Sequence, residues 1–364
     1  MFNLFKKKKE TPKDNDKYLS LKIREIKKET PDTISLYFEQ PDPFLDYKAG
    51  QFLTLLLDIE GKPVRRSYSI CTSPYLDPFP GITVKRVAGG LVSNYLIEKM
   101  KPGKTIEVMK PMGTFTTTFH SKNQNHFILI TGGSGITPIM GIMKSVLINE
   151  PLSKVSLLYC SRSEGQIIFD KELKELQREY KDRLQIVHNL TQPSPEWKGL
   201  QGRLSSQVIE DHLDKWTVET AFTPKYFICG PQGLMETAEQ TLLKRGVSKE
   251  IIQKESFYIT PAANTENESG IPVLTKEVTV ILEGHEFHFE VPPGKTILEA
   301  GLDEDVDMPY SCQSGLCTAC RGRLISGEVK MNEDAGLSES EIQQGYILCC
   351  SSKPANGVIR INIE

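Results

Sequence analysis

The sequence has no long hydrophobic run, few cysteines for its length and almost no excess charge of either sign. Its most hydrophobic short run, Phe52–Leu57, extends over six residues. A membrane-spanning helix needs about 20 apolar residues, so we expect no membrane span. The first residues lack the apolar core and cleavage site of a secretory signal, which predicts a cytoplasmic protein. A formal charge of −3 gives no reason to expect nucleic-acid binding.

Eight cysteines in 364 residues are too sparse for a disulfide scaffold, yet five of them follow residue 311. Cys312, Cys317 and Cys320 form C-x4-C-x2-C, and Cys350 follows after 29 further residues. This is the ligand spacing of a plant-type [2Fe–2S] cluster. A zinc site or reduced structural thiols are the alternatives, although zinc sites usually pair two C-x2-C segments. Because successive strand residues face opposite sides, Cys349 and Cys350 cannot both be ligands.

The pattern of hydrophobic residues changes twice along the chain. Short β-rich runs separated by turn residues over 18–122 predict an antiparallel β-barrel, and buried strands alternating with helical segments over 123–260 predict an α/β domain with a parallel sheet. Residues 1–17 are interpreted as a flexible tail, and 261–275 as a linker. The remainder, 276–364, predicts a small α+β domain.

Charge is also unevenly distributed. The last ninety residues carry a net charge of −8, and the preceding 274 carry +5. Opposite charges would suit docking of one module on the other, or they are unrelated features of two surfaces. Acidic residues at 303–307, just before the cysteine loop, suit a docking face for a redox partner equally well as a solvated loop.

Residues 66–69 form an R-x-Y-S motif that resembles the flavin signature of the ferredoxin-NADP reductase family. Alone, such a motif is more often an ordinary strand. The resemblance implies that Arg66 holds a flavin phosphate, that the Tyr68 ring stacks on the isoalloxazine and that Ser69 hydrogen-bonds the ring near N5. Alternation along a strand places Arg66 and Tyr68 on one face, as these roles require.

A second segment, Gly-Leu-Val-Ser-Asn at 90–94, is similar to the G-x-x-S-N segment of the same family. Backbone N–H groups at a glycine-initiated helix start bind phosphate well. The resemblance implies that Gly90, Val92 and Ser93 contact a pyrophosphate. FMN has no pyrophosphate, so the segment favours FAD.

A third segment, TGGSGITP at 131–138, lies between a predicted buried strand and a helix and resembles the G-x-G-[IV]-[TA]-P segment of the family. Glycines there let the backbone approach a nucleotide pyrophosphate at the helix N-terminus. The expected nucleotide contacts are Gly132, Gly133, Gly135, Ile136 and Thr137.

The next predicted strand ends at Ser161 and Arg162, where family members that use NADPH bind its 2′-phosphate. We therefore expect NADPH, with NADH left open by the nearby Glu164, since NADH sites commonly place a carboxylate near the ribose.

Cys229, Gly230 and Pro231 resemble the C-G-P segment beside the nicotinamide, which implies that Cys229 positions the ring and does not act as an attacking nucleophile. Glu255 and Phe257 resemble a family E-x-F ending near the flavin. Ser69 and Cys229 are thus the candidate catalytic residues.

The C-terminal segments YSCQSGLCTACRGRLISGEV and LCCSSKP resemble a plant-type ferredoxin, with Pro354 at the distance that favours Cys350 as the fourth ligand. This resemblance implies a β-grasp fold. Together the resemblances imply an NAD(P)H-dependent oxidoreductase that passes electrons through FAD and a [2Fe–2S] cluster to a partner oxygenase or desaturase component. Another iron–sulfur or hybrid-cluster acceptor, a redox sensor without sustained turnover and a zinc-bound interaction module are the alternatives.

Overall fold

The structure, a computed structural model, contains three sheets that follow one another along the chain. It describes residues 18–216, 221–257, 275–310, 313, 315, 317–332, 336, 337 and 339–363. The predicted tail, Cys312 and all of the predicted linker except Thr275 lie outside these residues. None of the helices in the described ranges is long and apolar enough to cross a membrane.

The N-terminal domain is an antiparallel barrel-like sheet, as predicted. Its elements are β1 (Tyr18–Thr30), β2 (Thr33–Phe38), β3 (Phe52–Ile59), β4 (Lys62–Ser69), β5 (Gly81–Lys85), α1 (Leu91–Lys99) and β6 (Thr105–Met109). The strand order is β4-β3-β6-β1-β2-β5, and an isolated bridge between Ile70 and Ile82 joins the two edges. This near-closure encloses an aliphatic core of alternate strand residues such as Leu21, Ile23 and Leu53.

The middle domain is a parallel six-stranded sheet with helices on both faces. Its elements are β7 (Asn125–Gly132), α2 (Ile136–Asn149), β8 (Lys154–Ser161), α3 (Asp170–Glu179), β9 (Leu184–Leu190), β10 (Leu200–Gln201), α4 (Ser206–Trp216), β11 (Thr223–Cys229), α5 (Gln232–Lys244) and β12 (Ile252–Glu255). The order β10-β9-β8-β7-β11-β12 puts β7 in the interior. Every residue of β7 is buried, which explains its continuous apolar sequence. The strand-then-helix pattern of the sequence corresponds to β7, β8 and β11 with the helices that follow them, while β9, β10, α4 and β12 show no such pattern.

The C-terminal domain is α+β with a mixed sheet, which confirms the predicted fold class. Its elements are β13 (Lys276–Leu282), β14 (His285–Val291), α6 (Ile297–Asp303), β15 (Arg321–Met331), α7 (Glu339–Gln343), β16 (Tyr346–Leu348) and β17 (Ser352–Ile363). Strand β13 pairs with β14 in a hairpin and runs parallel to β17. Thr296 caps the N-terminus of α6 and forms a capping box with Glu299.

Helix α2 packs tightly on the N-terminal domain, so that the first two domains share one core. Cys71 and Phe115 of the N-terminal domain belong to the same buried cluster as the apolar residues of α2. A Cβ at Gly141 would lie 2.8 Å from the carbonyl oxygen of Thr72, so only glycine permits this approach. The buried hydroxyls of Ser73 and Ser145 share a hydrogen bond of 2.8 Å.

A buried ion triad completes this junction. The Lys144 side chain is 5% exposed, and its ammonium lies 2.7 Å from both Asp77 of the N-terminal domain and Glu172 of α3. Burial alone disfavours the charged ammonium, but Glu172 and Asp77 outweigh it and raise the pKa of Lys144. Lys144 therefore remains charged and links the two domains.

Replacing Lys144 by Met would leave two neighbouring carboxylates without their cation. We expect Lys144→Met to lower the free energy of unfolding by about 2 kcal/mol, less than for a fully buried pair because both carboxylates keep some contact with water. Thermal unfolding followed by circular dichroism measures the effect. The control is Lys171→Met on α3, where the lysine side chain is 86% exposed. Equal midpoint shifts in the two variants would contradict the role of Lys144.

Candidate functional site

The end of β4 carries the R-x-Y-S residues to the junction with the middle domain. Ser69 is 4% exposed and lies opposite Phe52 of β3. Burial raises the pKa of Tyr68 to about 12, with an opposing effect from the nearby Arg66 charge. Tyr68 therefore presents a neutral phenol, and Arg66 a cation, from the same strand. These are the chemical properties that stacking on a flavin ring and binding its phosphate require.

Three predicted site residues from two domains meet at one point. The Ser69 hydroxyl donates a hydrogen bond to Oε2 of Glu255 at 3.2 Å. Glu255 ends β12, where it lies in register with Cys229 at the end of β11. Cys229 is fully buried. The structure thus brings together the two candidate catalytic residues and the acid of the E-x-F segment, while Phe257 is 42% exposed.

The electrostatics of this junction favour neutral side chains. Surrounding protein removes most of the hydration of Glu255 and raises its pKa to about 8, although Ser69 opposes the shift. Burial and the nearby Glu255 raise the pKa of Cys229 well above its ordinary value. Cys229 is therefore a thiol and not a nucleophilic thiolate, which suits a positioning role.

The glycine-rich segment forms a tight turn between β7 and α2. Residues Gly133–Gly135 make one 3-10 turn, and α2 then begins at Ile136. A Cβ at Gly135 would lie only 2.3 Å from the carbonyl oxygen of Cys229, so the turn and the C-G-P segment pack backbone against backbone. Thr131 reinforces the contact by donating its hydroxyl to that same carbonyl at 2.7 Å.

Helices α1 and α2 both begin at these motifs without a side-chain cap. The first backbone N–H groups of a helix have no partner within the helix and point toward any anion placed there. The α1 start therefore fits a phosphate group. The Ile136 N–H at the α2 start already bonds to the carbonyls of Gly133 and Ser134, so a second phosphate would meet the preceding Gly133–Gly135 turn. Thr137 does not cap α2, because its hydroxyl donates to the carbonyl of Ser134 at 3.0 Å.

Asn94 organises the loop before α1, a role that the sequence analysis did not assign. Its amide nitrogen donates to the carbonyls of Gly90 at 2.6 Å and Val87 at 3.2 Å, while the Ser93 hydroxyl accepts the Val87 N–H. The Asn94 oxygen accepts a hydrogen bond from Arg86 at 2.5 Å. Arg86, which on sequence alone could have been a solvated surface charge, is thereby held beside the segment.

At the end of β8, the two residues expected to bind the adenosine 2′-phosphate differ in solvent exposure. Ser161 is 6% exposed, and Arg162 is exposed. Glu164, whose carboxylate left NADH as an alternative to NADPH, accepts hydrogen bonds from the hydroxyl and the N–H of Ser194 at 2.7 and 3.1 Å. A hydrogen bond from its own backbone N–H, followed by the bonds from Ser194, lowers the pKa of Glu164, and the Ser194 bonds tie its carboxylate to a neighbouring loop.

The described cysteines of the C-terminal domain lie at the rim of one loop. Cys320 is buried and Cys317 is partly exposed. The backbone N–H of Gly315 donates to Sγ of Cys350 at 3.1 Å, and the Cys350 N–H donates to Sγ of Cys320 at 3.4 Å. Such N–H donors stabilise thiolate sulfur, so this part of the loop fits an iron–sulfur cluster. Residues of the described part alone do not assemble three metal ligands, and Cys312 lies outside it.

Cys349 occupies a different environment from Cys350. It is fully buried, its carbonyl accepts the N–H of Leu298 in α6, and burial raises the pKa of its thiol well above the ordinary value. It therefore packs as an apolar residue beneath the helix. This placement supports Cys350 as the fourth ligand.

A cavity of about 320 Å3 separates the cysteine loop from the N-terminal domain. Its wall includes Thr318 and Ala319, which lie between Cys317 and Cys320, and Gln51, whose carbonyl accepts the N–H of Ile70 next to Ser69. The cysteine loop therefore faces the residue before β3 and the segment that follows β6, residues 110–114, across this space.

Family comparisons agree with the three-domain geometry. The oxidoreductase FAD-binding domain family matches residues 20–117, the oxidoreductase NAD-binding domain family matches 129–240, and the 2Fe-2S iron-sulfur cluster binding domain family matches 280–355. The fold and the site thus define a flavin-dependent oxidoreductase with a nicotinamide domain and a [2Fe–2S] domain.

Similar proteins share the whole arrangement. A component of the 1,2-phenylacetyl-CoA epoxidase from Escherichia coli K12 is 30% identical over 95% of this chain and 97% of its own length. The ferredoxin reductase component of 3-ketosteroid-9-alpha-monooxygenase from Rhodococcus rhodochrous is 34% identical over 94% and 95%. The structure of phthalate dioxygenase reductase matches with a TM-score of 0.58 and 27% identity over 95% of this chain and 98% of that chain. The chain belongs to this family of ferredoxin reductase components, and its cofactors are FAD, a pyridine nucleotide and a [2Fe–2S] cluster.

The raised pKa of Glu255 predicts a pH-dependent stability. The folded protein holds this proton up to about pH 8, whereas an unshifted glutamate loses it near pH 4.5, so wild-type stability falls as pH rises between these values. We expect Glu255→Gln to remove this slope, which is at most a few kcal/mol since one pKa unit corresponds to about 1.4 kcal/mol. Thermal midpoints of the holoprotein across this pH range measure it. Glu236→Gln, on the exposed face of α5, is the control, and an equally flat profile for it would count against Glu255.

The two adjacent cysteines predict opposite outcomes on substitution. We expect Cys350→Ser to lose most of the cluster absorbance and bound iron, because one of the ligands changes from sulfur to oxygen. Cys349→Ala should keep the cluster and lose about 1 kcal/mol of stability, as expected for a small buried truncation. Visible spectra, iron and sulfide content, and thermal unfolding distinguish them. If Cys349→Ala lost the cluster and Cys350→Ser kept it, Cys349 would be the fourth ligand.

Proposed function

We propose that this chain is the NADPH-dependent reductase component of an oxygenase or desaturase system. The single observation that carries the proposal is the junction of Ser69, Cys229 and Glu255, where the flavin strand meets the ends of the nicotinamide-domain strands. Bound FAD supplies the conversion of a two-electron hydride into single electrons, which the cluster can accept. The task of the chain is to hold nicotinamide and flavin in contact.

Each motif has a proposed role at this junction. We assign the flavin to Arg66, Tyr68 and Ser69, with its pyrophosphate at the α1 start. We assign the nicotinamide nucleotide to the α2 start and to the C-G-P segment. The remaining contacts of the proposed site are Gly90, Val92, Ser93, Gly132, Gly133, Gly135, Ile136, Thr137, Gly230 and Pro231. The proposed cluster ligands are Cys312, Cys317, Cys320 and Cys350.

Cys229 and Glu255 have different proposed roles beside Ser69: Cys229 positions the nicotinamide ring, and Glu255 holds a proton. The neutral Cys229 thiol gives the nicotinamide ring a wall without an ionic charge, which favours alignment for hydride transfer over covalent attack. Glu255 retains a proton near neutral pH and can hold it at the carboxyl group that accepts the Ser69 hydrogen bond. Ser69 can then orient its hydroxyl toward the flavin ring or toward Glu255.

Preference for NADPH rests on the end of β8. The exposed Arg162 can pair with a dianionic 2′-phosphate, while Ser194 engages the Glu164 carboxylate that an NADH ribose would otherwise use. We therefore assign Ser161 and Arg162 to the 2′-phosphate.

The electron acceptor is proposed from the named relatives. Two of these are components of a phenylacetyl-CoA epoxidase and a ketosteroid monooxygenase, so an oxygenase component is the acceptor class that they favour. We place the reaction in the cytoplasm, where thiols such as those of the cluster loop stay reduced.

An anaerobic titration tests the proposal. We expect NADPH to bleach both the flavin and the iron–sulfur bands, and to do so faster than NADH. Arg162→Ala should raise the KM for NADPH by about tenfold or more and leave the KM for NADH unchanged, since a hydrogen bond to a charged group contributes about 1.5–3 kcal/mol. Stopped-flow and steady-state rates with ferricyanide as acceptor measure these effects.

Arg178→Ala, on the exposed face of α3, is the matched control and should leave both KM values unchanged. Equal rates with NADPH and NADH, or equal losses in Arg162→Ala, would contradict the nucleotide assignment. Flavin bleaching without cluster bleaching would contradict the internal relay. Full cofactor content without turnover would favour a redox sensor.

A further inference from the structure

A group of four side chains joins the FAD domain to the ferredoxin domain beside the cluster loop. Nη2 of Arg65 lies 2.8 Å from Oδ1 of Asp307, and the Tyr18 hydroxyl donates to Oδ2 of Asp307 at 3.2 Å. The Arg65 guanidinium also lies over the Tyr310 ring, 4.5 Å from its centroid. Arg65 is 14% exposed at its side chain and Asp307 is 59% exposed, so a buried arm reaches an accessible carboxylate.

The contact involves segments that adjoin, in sequence, the two proposed electron-carrying sites. Arg65 immediately precedes Arg66 on β4, the strand that carries the flavin motif. Asp307 and Tyr310 precede the predicted cluster ligand Cys312 by five and two residues. The Arg65–Asp307 contact therefore joins the segment before the cluster loop to the strand that carries the flavin motif.

Among the described elements, the ferredoxin domain packs only sparsely on the FAD domain. In the ranges that the structure describes, no strand or helix of the ferredoxin domain packs extensively on the other domains, whereas the FAD and NAD domains share a core. A cavity of about 320 Å3 occupies the same interface. Permanent interfaces are packed like a protein core and lack such voids, and exposed ion pairs contribute little stability. These features are those of a contact that forms and breaks.

The charge distribution favours this contact as a docked state. The last ninety residues carry −8 and the preceding 274 carry +5, so the two parts of the chain attract each other. Arg65 of the FAD domain pairs with Asp307, one of the acidic residues before the cluster loop. The neighbouring Glu304 and Asp305 remain exposed.

We propose that Arg65 and Tyr18 form a releasable docking site on the FAD domain for the Asp307–Tyr310 segment of the ferredoxin domain, and that the cluster receives electrons in this docked arrangement. The proposal rests on the proposed function. One NADPH and two oxidised one-electron acceptors yield NADP+, two reduced acceptors and one proton, so two single-electron transfers cross this interface per NADPH. When the ferredoxin domain leaves the docking site, Asp307 loses its contacts with Arg65 and Tyr18 and becomes accessible to other proteins.

Charge reversal tests the docking site from both sides. We expect Arg65→Glu and Asp307→Arg each to slow the appearance of the reduced cluster by about tenfold or more after mixing with NADPH, because loss of orientation is costly for transfer. The rate of flavin reduction should not change. The double variant should recover most of the wild-type rate, because the ion pair re-forms with its charges exchanged. Anaerobic stopped-flow absorbance resolves the flavin and cluster phases.

Solution scattering supplies a readout that does not depend on turnover. We expect both single variants, and wild type at high salt, to show a larger radius of gyration than wild type at low salt, since salt screens exposed charges. The double variant should be as compact as wild type. Lys22→Gln is the control, because it removes another exposed ion pair, with Glu39, from the same domain. It should change neither the cluster rate nor the scattering.

Two outcomes would overturn the docking site: unchanged cluster reduction in both single variants, or slowing in the double variant as severe as in the singles. If Arg65→Glu loses FAD, Asp307→Arg tests the same contact from the ferredoxin domain. Failure of the proposed function has a different signature, since wild type itself would then show no NADPH-driven reduction of flavin or cluster.

Discussion

The close packing of helix α2 against the chain that follows Ser69 is the constraint on which the hydride-transfer site depends. Gly141 permits backbone contact with Thr72, and Lys144 reaches Asp77 on the same loop. The N-terminus of this helix is also the proposed nucleotide phosphate site. One rigid element thus places the nucleotide at one end and holds the flavin strand at its middle. Displacement of the helix would therefore change the distance between the proposed nicotinamide and flavin sites. No other element in the described chain both contacts the loop after Ser69 and begins at the proposed nucleotide site.

The two domain interfaces differ in the way that their proposed tasks require. Hydride transfer needs near contact of two rings in a fixed geometry, and the FAD and NAD domains share a packed core with a buried ion triad. Electron transfer to a cluster that must later meet another protein needs a contact that can release. The contacts described there join Arg65 and Tyr18 to Asp307 and Tyr310, and a cavity lies in the same interface. The tightly packed interface thus suits hydride transfer, and the sparsely packed interface suits the later transfer of electrons to the cluster.

Sequence patterns predicted most of the architecture because their signals are local. The apolar run of β7, the turn glycines and the cysteine spacing each depend on neighbours within a few residues. Strand β9 was missed because its buried and polar residues do not alternate regularly, and β12 because four residues are too few to give a period. Lys144 reads on sequence as an interruption of an apolar helix, since its two partners lie 67 and 28 residues away. Arg65 reads as a neighbour of the motif arginine, and its partner is 242 residues away. Charged pairs of this kind carry no periodic signal.

The pair of adjacent cysteines shows how structure resolves what alternation alone leaves open. Strand alternation predicted that Cys349 and Cys350 face opposite ways, and the ferredoxin resemblance favoured the second; in the structure both lie in the turn that follows β16, so alternation does not apply to them. The structure gives a physical reason, because Cys349 is buried under α6 while Cys350 accepts an N–H from the loop that carries the other cysteines. Burial against a helix keeps a thiol neutral, whereas N–H donors stabilise a thiolate. Cys349 thus has the surroundings of a core thiol, whereas Cys350 has the N–H donor that a metal-bound sulfur uses, and this difference is the physical basis for expecting Cys350 to bind iron.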